Sequence, residues 1–273
     1  MSLLSKKIKE RGQKISFVPT MGALHEGHLS LITSARKKGD LVVVSIFVNP
    51  IQFGPAEDFS RYPRDLTHDK KLLKPHDPII IFNPKSEEMY GPDFKSYVEV
   101  ADLSEKLCGP LRPGHFRGVA TVVAKLFNIV KPDYAFFGEK DFQQLVIIRK
   151  MAKDLNCDVQ IVAVPTARES DGLAKSSRNS YLSCEERKSA AALYRSLCLA
   201  KKMIRAGGKS PQKIIRAMNH IISREPVIKI EYISIVNPET LEDAKKIKGK
   251  VLVALAARIK KTRLIDNMLI NSR

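Results

Sequence analysis

Early in the chain KISFVPT (residues 14–20), LVVVSIFVN (41–49) and DPIIIFNP (77–84) each carry an apolar, β-rich run, continuous in the second. A strand with one wet face alternates apolar and polar residues. A continuous short run is what a strand buried on both faces needs. Between the runs the period changes to that of a helix, first over His28–Lys38 and then over YPRDLTHDKKLLK. The alternation resumes with a helix at VATVVAKLFNIV, a short strand at DYAFFG, a helix at KDFQQLVIIRKMAKDL and a strand at VQIVAVPT. Strands separated by helices predict a parallel, doubly wound α/β sheet.

Past residue 180 the pattern is different. SCEERKSAAALYRSLCLAKKMIRAG opens with Ser183 three residues before Glu186, a capping-box spacing, and stops at Gly207-Gly208. SPQKIIRAMNHIISRE begins a second helix with Ser-Pro, and IEYISIVN and GKVLVALAARI read as short antiparallel strands. Two domains are expected: residues 1–178, Rossmann-like and ligand-binding, and residues 179–273, a smaller α+β domain acting as a lid. The segment PTARESDGLAKSSRNSYLS at their seam is long and polar enough to be a functional loop.

With 273 residues and 44% hydrophobic content the chain can bury a full core, and no apolar run is long enough to span a bilayer. The amino-terminal MSLLSKKIKERG lacks a signal peptide's apolar stretch, and the four cysteines form no CxxC pair. Both point to a cytoplasmic protein with reduced thiols and no membrane partner. The net charge of +18 could indicate nucleic acid or a polyanionic small molecule. Its lysines, however, are scattered without interleaved aromatic residues, as on a solvated surface, so no nucleic-acid partner is expected.

Four stretches could carry chemistry. TMGALHEGHLSL (20–31) sets His25 and His28 between the first strand and its helix, at the carboxyl end of the strand, where open α/β sheets bind ligands. The unpaired N–H groups of a helix start attract anions, and two imidazoles add donors for a phosphate. A metal pair and a purely structural cap are the competing readings. FFGEKDFQQL (136–145) places Lys140 and Asp141 after a strand and a glycine turn: a lysine to bridge phosphates, an aspartate to hold a hydrated magnesium ion or to cap a helix. Gln143 and Gln144 offer amides suited to a hydroxyl or carboxylate. LAKSSRNSY (173–181) carries two hydroxyls and a guanidinium on a loop that could close over a triphosphate. SIFVNPIQFGPAEDF (45–59) puts Asn49 and Gln52 just past the second strand, where buried amides read a ligand's polar groups.

Taken together, FVPTMGALHEGHLSL, SIFVNPIQFGPAEDFSRYPRDL, the long block from RPGHFRG to KDFQQLVIIRKM, PTARESDGLAKSSRNSYLS and VLVALAARIKKTRLIDN resemble the pantoate–β-alanine ligases. These belong to the HxGH nucleotidyltransferase superfamily, and the likeness spans nearly the whole chain. It implies an AMP-forming ligase. The pantoate carboxylate attacks the α-phosphate of ATP, giving pantoyl adenylate and pyrophosphate; the β-alanine amine then attacks the acyl carbon and releases AMP. The resemblance gives catalytic roles to His25, His28, Lys140 and Arg178. It assigns ATP to Met21, His25, His28, Gly138, Lys140, Asp141, Lys175, Ser176, Ser177 and Arg178, and pantoate to Met21, Asn49, Gln52 and Gln144. Magnesium is expected mainly through the ATP phosphates rather than at a protein metal site, and the family forms homodimers. The rival within the superfamily is a nucleotidyltransferase acting on a phosphorylated acceptor.

The chain departs from the family pattern at Lys175, where methionine is usual. Its side chain is expected to point to solvent, the alternative being an ammonium that reaches a phosphate.

Overall fold

A computed structural model describes residues 1–55 and 57–272. The chain divides into two compact units. The first comprises Met1–Glu105, Gly109–Glu139 and Gln144–Pro165; the second comprises Lys106–Cys108, Lys140–Gln143 and the chain from Thr166 onward. Composition places the change after residue 178, but the stretch from Thr166 to Arg178 belongs with the second unit. There the guanidinium of Arg168 is bound to Asp266.

The first unit is built on a five-stranded parallel sheet: β1 (Ile15–Thr20), β2 (Leu41–Ile46), β3 (Ile79–Phe82), β4 (Tyr134–Gly138) and β5 (Gln160–Val164). The spatial order is β3-β2-β1-β4-β5, so the winding reverses between β1 and β4. A crevice opens at such a reversal, beyond the carboxyl ends of the strands. Val18, Val44 and Phe136 on one face pack with Leu31 and Ile32 of α2 (Glu26–Ala35) and Leu73 of α3 (Leu66–Leu73). Alternate residues turn to the opposite face, where Phe17 and Val43 are fully buried. The other helices of the chain up to β5 are α1 (Ser2–Glu10), the short α4 (Ser86–Met89), α5 (His115–Val130) and α6 (Phe142–Asp154). α5 starts at His115, earlier than the apolar period at Val119, because Gly114 supplies the left-handed N-cap residue at φ +77°.

The second unit packs α7 (Cys184–Arg205) and α8 (Pro211–Ile222) on an antiparallel sheet, β6 (Ile228–Val236), β7 (Lys250–Ile259) and β8 (Thr262–Asn271). Its core joins Leu193, Leu197 and Ile204 of α7 to Val253 and Leu255 of β7. The expected capping box is present: Ser183 Oγ accepts from Glu186 N at 3.2 Å, and the Glu186 carboxylate accepts from Ser183 N at 2.9 Å. Among the described residues no helix is long and apolar enough to cross a membrane, and no disulfide forms.

Candidate active site

The loop leaving β1 owes its shape to a buried carboxylate. Asp69, on α3 and 1% exposed, accepts from Ala23 N at 3.1 Å and Leu24 N at 2.7 Å. Burial raises the Asp69 carboxyl above its ordinary range, and the two backbone donors work against that shift. Gly22, at φ +78°, lies so close that a Cβ would meet Asp69 Oδ2 at 2.9 Å. Asp69 has no signal in the sequence, because DLTHDKK reads as a solvated helical turn.

From that loop the chain enters α2 through a reciprocal pair of caps. His25 is the N-cap residue, and its Nδ1 accepts from Gly27 N at 3.1 Å. His28 Nδ1 accepts from His25 N at 3.3 Å, and the two rings lie 4.1 Å apart. An imidazole nitrogen that accepts carries no proton, so in both neutral rings the proton sits on Nε2. The structural-cap reading of the motif is therefore present in the contacts of both Nδ1 atoms. Among the described residues no three His, Cys, Asp or Glu side chains gather as a metal site.

Beside β2, the amide of Asn49 is spent inside the protein. Its Nδ2 donates to Gln52 Oε1 at 3.0 Å and to the Gly118 carbonyl at 3.1 Å, and its Oδ1 accepts from Tyr90 Oη at 2.7 Å. Burial raises the Tyr90 phenol, which keeps it a neutral donor. Gln52 Nε2 donates to Met21 Sδ at 3.0 Å, so Met21, Asn49 and Gln52 form one cluster.

The backbone of Gln52 is held from α5. His115 Nδ1 lies 2.8 Å from the Gln52 carbonyl, and its Nε2 lies 2.8 Å from Arg112 Nη1. Since a guanidinium only donates, Nε2 accepts and Nδ1 donates. Arg112 in turn clasps Glu57, with both contacts at 2.6 Å. Burial alone would raise the Glu57 carboxyl; the Arg112 guanidinium overrides it and holds it below the usual range. Gly118 completes the support, since a Cβ there would sit 2.3 Å from the Ile51 carbonyl oxygen. Gly138 ends β4, and Gln144 is half-buried in the first turn of α6.

In the second unit, Lys140 and Asp141 lie on a 3-10 turn with Nζ 3.7 Å from Oδ2. Gln143 donates to the Lys106 carbonyl at 2.7 Å and accepts from Cys108 N at 3.2 Å, so the ligand-reading role open to it is taken by these contacts, and Gln144 is the remaining candidate. Residues 167–175 form a narrow hairpin: Arg168 bridges Ala174 antiparallel, and Lys175 N donates to the Ala167 carbonyl at 2.9 Å. Ser176 then caps a 3-10 turn, Ser177–Tyr181, accepting from Arg178 N at 3.3 Å. The Lys175 ammonium does not point to solvent. It pairs with Glu169 at 3.2 Å across the hairpin and is 16% exposed.

A reversing parallel sheet with an HxGH loop at its crevice defines a Rossmann-like nucleotide-using enzyme. The sequence model of the family described as Pantoate-beta-alanine ligase matches residues 1–269. The pantothenate synthetase of Caldicellulosiruptor bescii is 56% identical over 273 residues, 100% of this chain and 97% of the relative; that of Fervidobacterium nodosum is 56% identical over 271, covering 99% and 96%. A pantothenate synthetase structure from Thermus thermophilus superposes with a TM-score of 0.91 at 48% identity, covering 93% of this chain and 92% of that one. The Francisella tularensis pantoate–β-alanine ligase, solved with β-γ ATP and β-alanine, gives 0.79 at 36% identity, with 97% and 94% covered. The chain belongs to the pantoate–β-alanine ligase family.

Proposed function

We propose that this chain condenses pantoate with β-alanine at the expense of ATP, through pantoyl adenylate. The observation that carries the mechanism is the pair of histidine caps, which commits two Nε2–H donors at the start of α2. Family membership supports the reaction, and the ATP and β-alanine named with the Francisella ligase support two of the three substrates.

In the first step a pantoate carboxylate oxygen bonds to the α-phosphorus, and the bond from that phosphorus to the β-phosphate oxygen breaks. His25 and His28 donate to the phosphate oxygens as charge builds on them, without having to reorganise. Lys140, Ser176, Ser177 and Arg178 bind the pyrophosphate part, and Asp141 serves the ribose or the magnesium that arrives with ATP. Gly138 lies along the nucleotide, and Lys175 meets it through its backbone, its ammonium being held by Glu169. Met21, Gln52 and Gln144 receive pantoate. Asn49 acts on it through Gln52. In the second step the neutral amine of β-alanine bonds to the acyl carbon, loses a proton, and AMP leaves with the C–O bond electrons. No residue needs to become covalently bound, because the substrate carboxylate is the nucleophile. A division of labour between a ligand-binding domain and a carboxyl-terminal lid, and a homodimer, are further parts of this reading, supported by the resemblance; a cytoplasmic location is a further part, supported by the cysteine pattern.

The test is AMP release in the presence of Mg-ATP, pantoate and β-alanine, omitting each in turn. Amide and AMP should appear only with all three. Transfer of AMP to a phosphorylated acceptor without the amine would overturn the ligase in favour of a nucleotidyltransferase. Lys140→Ala should sharply reduce pyrophosphate release; near-normal release would remove Lys140 from the mechanism.

A further inference from the structure

β8 breaks its own alternation at Asp266 and Asn267, adjacent residues that are both buried, at 2% and 8% exposure. They end the string RLIDN, which carries part of the family likeness and has so far received no role. The two side chains reach the two phosphate-binding segments of the second unit.

Asp266 takes the Arg168 guanidinium on both oxygens, at 2.7 and 2.9 Å. Arg168 also donates to the Gly172 carbonyl at 2.9 Å and to the Asn267 carbonyl at 3.2 Å, and its guanidinium lies 4.5 Å from the Tyr194 ring centroid. Gly172, at the turn of the hairpin, is pressed on the same ring: a Cβ would lie 1.9 Å from Tyr194. Since Arg168 faces Ala174 across the hairpin, its clamp fixes the base from which Lys175 and Ser176–Arg178 continue. Asn267 acts on the other segment, its Nδ2 donating to the Lys140 carbonyl at 2.8 Å.

We propose that Asp266 and Asn267 are a positioning pair that sets the Lys140 turn and the 167–178 segment from one two-residue stretch of β8, so that both meet the same triphosphate in register. The inference rests on the proposed roles of Lys140 and Ser176–Arg178. Lysine has a long flexible stem, and its ammonium is placed only as well as its backbone. A shift of an ångström in a binding group can cost about a hundredfold in rate. A buried ion pair, by contrast, adds little stability over apolar residues, so stability is a weak reason for this arrangement.

A double-mutant cycle tests it. Asn267→Ala should lower kcat/KM for ATP about tenfold or more in the parent, with the KM for pantoate changed less than twofold, and should have less than a twofold effect in a Lys140→Ala background. Where Lys140→Ala leaves too little turnover, ATP affinity by calorimetry is read in the same cycle. Asn267→Asp, which keeps the volume but cannot donate to the carbonyl, should reproduce Asn267→Ala if the alanine variant folds poorly. Asp266→Asn should weaken ATP and spare pantoate likewise. Equal factors in both backgrounds, or folded variants with parental ATP kinetics, would overturn the proposal. A parent that forms no amide would instead overturn the ligase reading, so the two failures are distinct.

Discussion

At the scale of single residues, the imidazoles of His25 and His28 cap the start of α2 and are the proposed donors to phosphate. Each Nδ1 accepts a backbone N–H, so each neutral ring is the Nε2–H tautomer. Nitrogen-15 shifts of the two rings should report that tautomer, and a proton on Nδ1 would contradict the geometry. His28→Ala removes one fixed donor and should reduce kcat by roughly 10²–10³, measured as pyrophosphate release at saturating substrates. Asp69→Ala leaves the N–H groups of Ala23 and Leu24 without their buried acceptor. That should destabilise the fold by about 1–3 kcal/mol per donor in urea unfolding. The histidines are legible in the sequence because HxGH is local. Asp69 is not, because its partners are far along the chain and nothing in DLTHDKK marks the one acidic side chain that turns inward. The same limit hides the contacts of Gln143 with Lys106 and Cys108 and of Lys175 with Glu169.

Elements show where periodicity suffices and where it fails. β1 and β2 are legible because both faces are buried, β3 through its apolar run although it is a half-buried edge strand, and α7 because its capping box is local. β8 escapes the reading: Arg263, Asp266 and Asn267 give it a polar composition although Asp266 and Asn267 are buried. Buried polar groups of this kind become intelligible only once their partners are in place. Ser183→Ala should cost about 1 kcal/mol by removing the α7 cap, read as a lowered denaturation midpoint. The link from Glu57 through Arg112 and His115 to Gln52 has a pH signature. The Glu57 carboxyl is held below its ordinary 4.5 in the folded protein, so it binds fewer protons there than in the unfolded chain. Its contribution is present above that value and is lost as pH falls through the lowered one. Glu57→Gln should therefore lower Tm in the neutral range and have little effect in acid, where the contribution is already lost, so that the dependence of Tm on pH below about 4.5 is flattened. An unchanged acid limb would break the link.

At the scale of the whole molecule, the parallel sheet and two strands of the antiparallel one follow from period alone, but the third strand and the division into units do not. Lys106–Cys108 and Lys140–Gln143 group with the carboxyl-terminal unit, tied to each other through Gln143 and to β8 through Asn267, which no boundary drawn along the sequence could show. A ligand that binds only the folded protein raises its stability, by about 2.7 kcal/mol at a hundredfold excess over Kd. A non-hydrolysable ATP analogue should accordingly raise Tm, and in Lys140→Ala the rise should shrink at equal analogue concentration. Gly118 has a consequence of another kind. Every other amino acid carries a Cβ, and one at this position would stand 2.3 Å from the Ile51 carbonyl oxygen and 2.7 Å from Gln52 Cα. No amino-acid substitution at position 118 therefore leaves the backbone of Gln52 where it is. Lineages that keep the pocket must keep this glycine, and any that lose it must reshape the 51–52 segment in the same step.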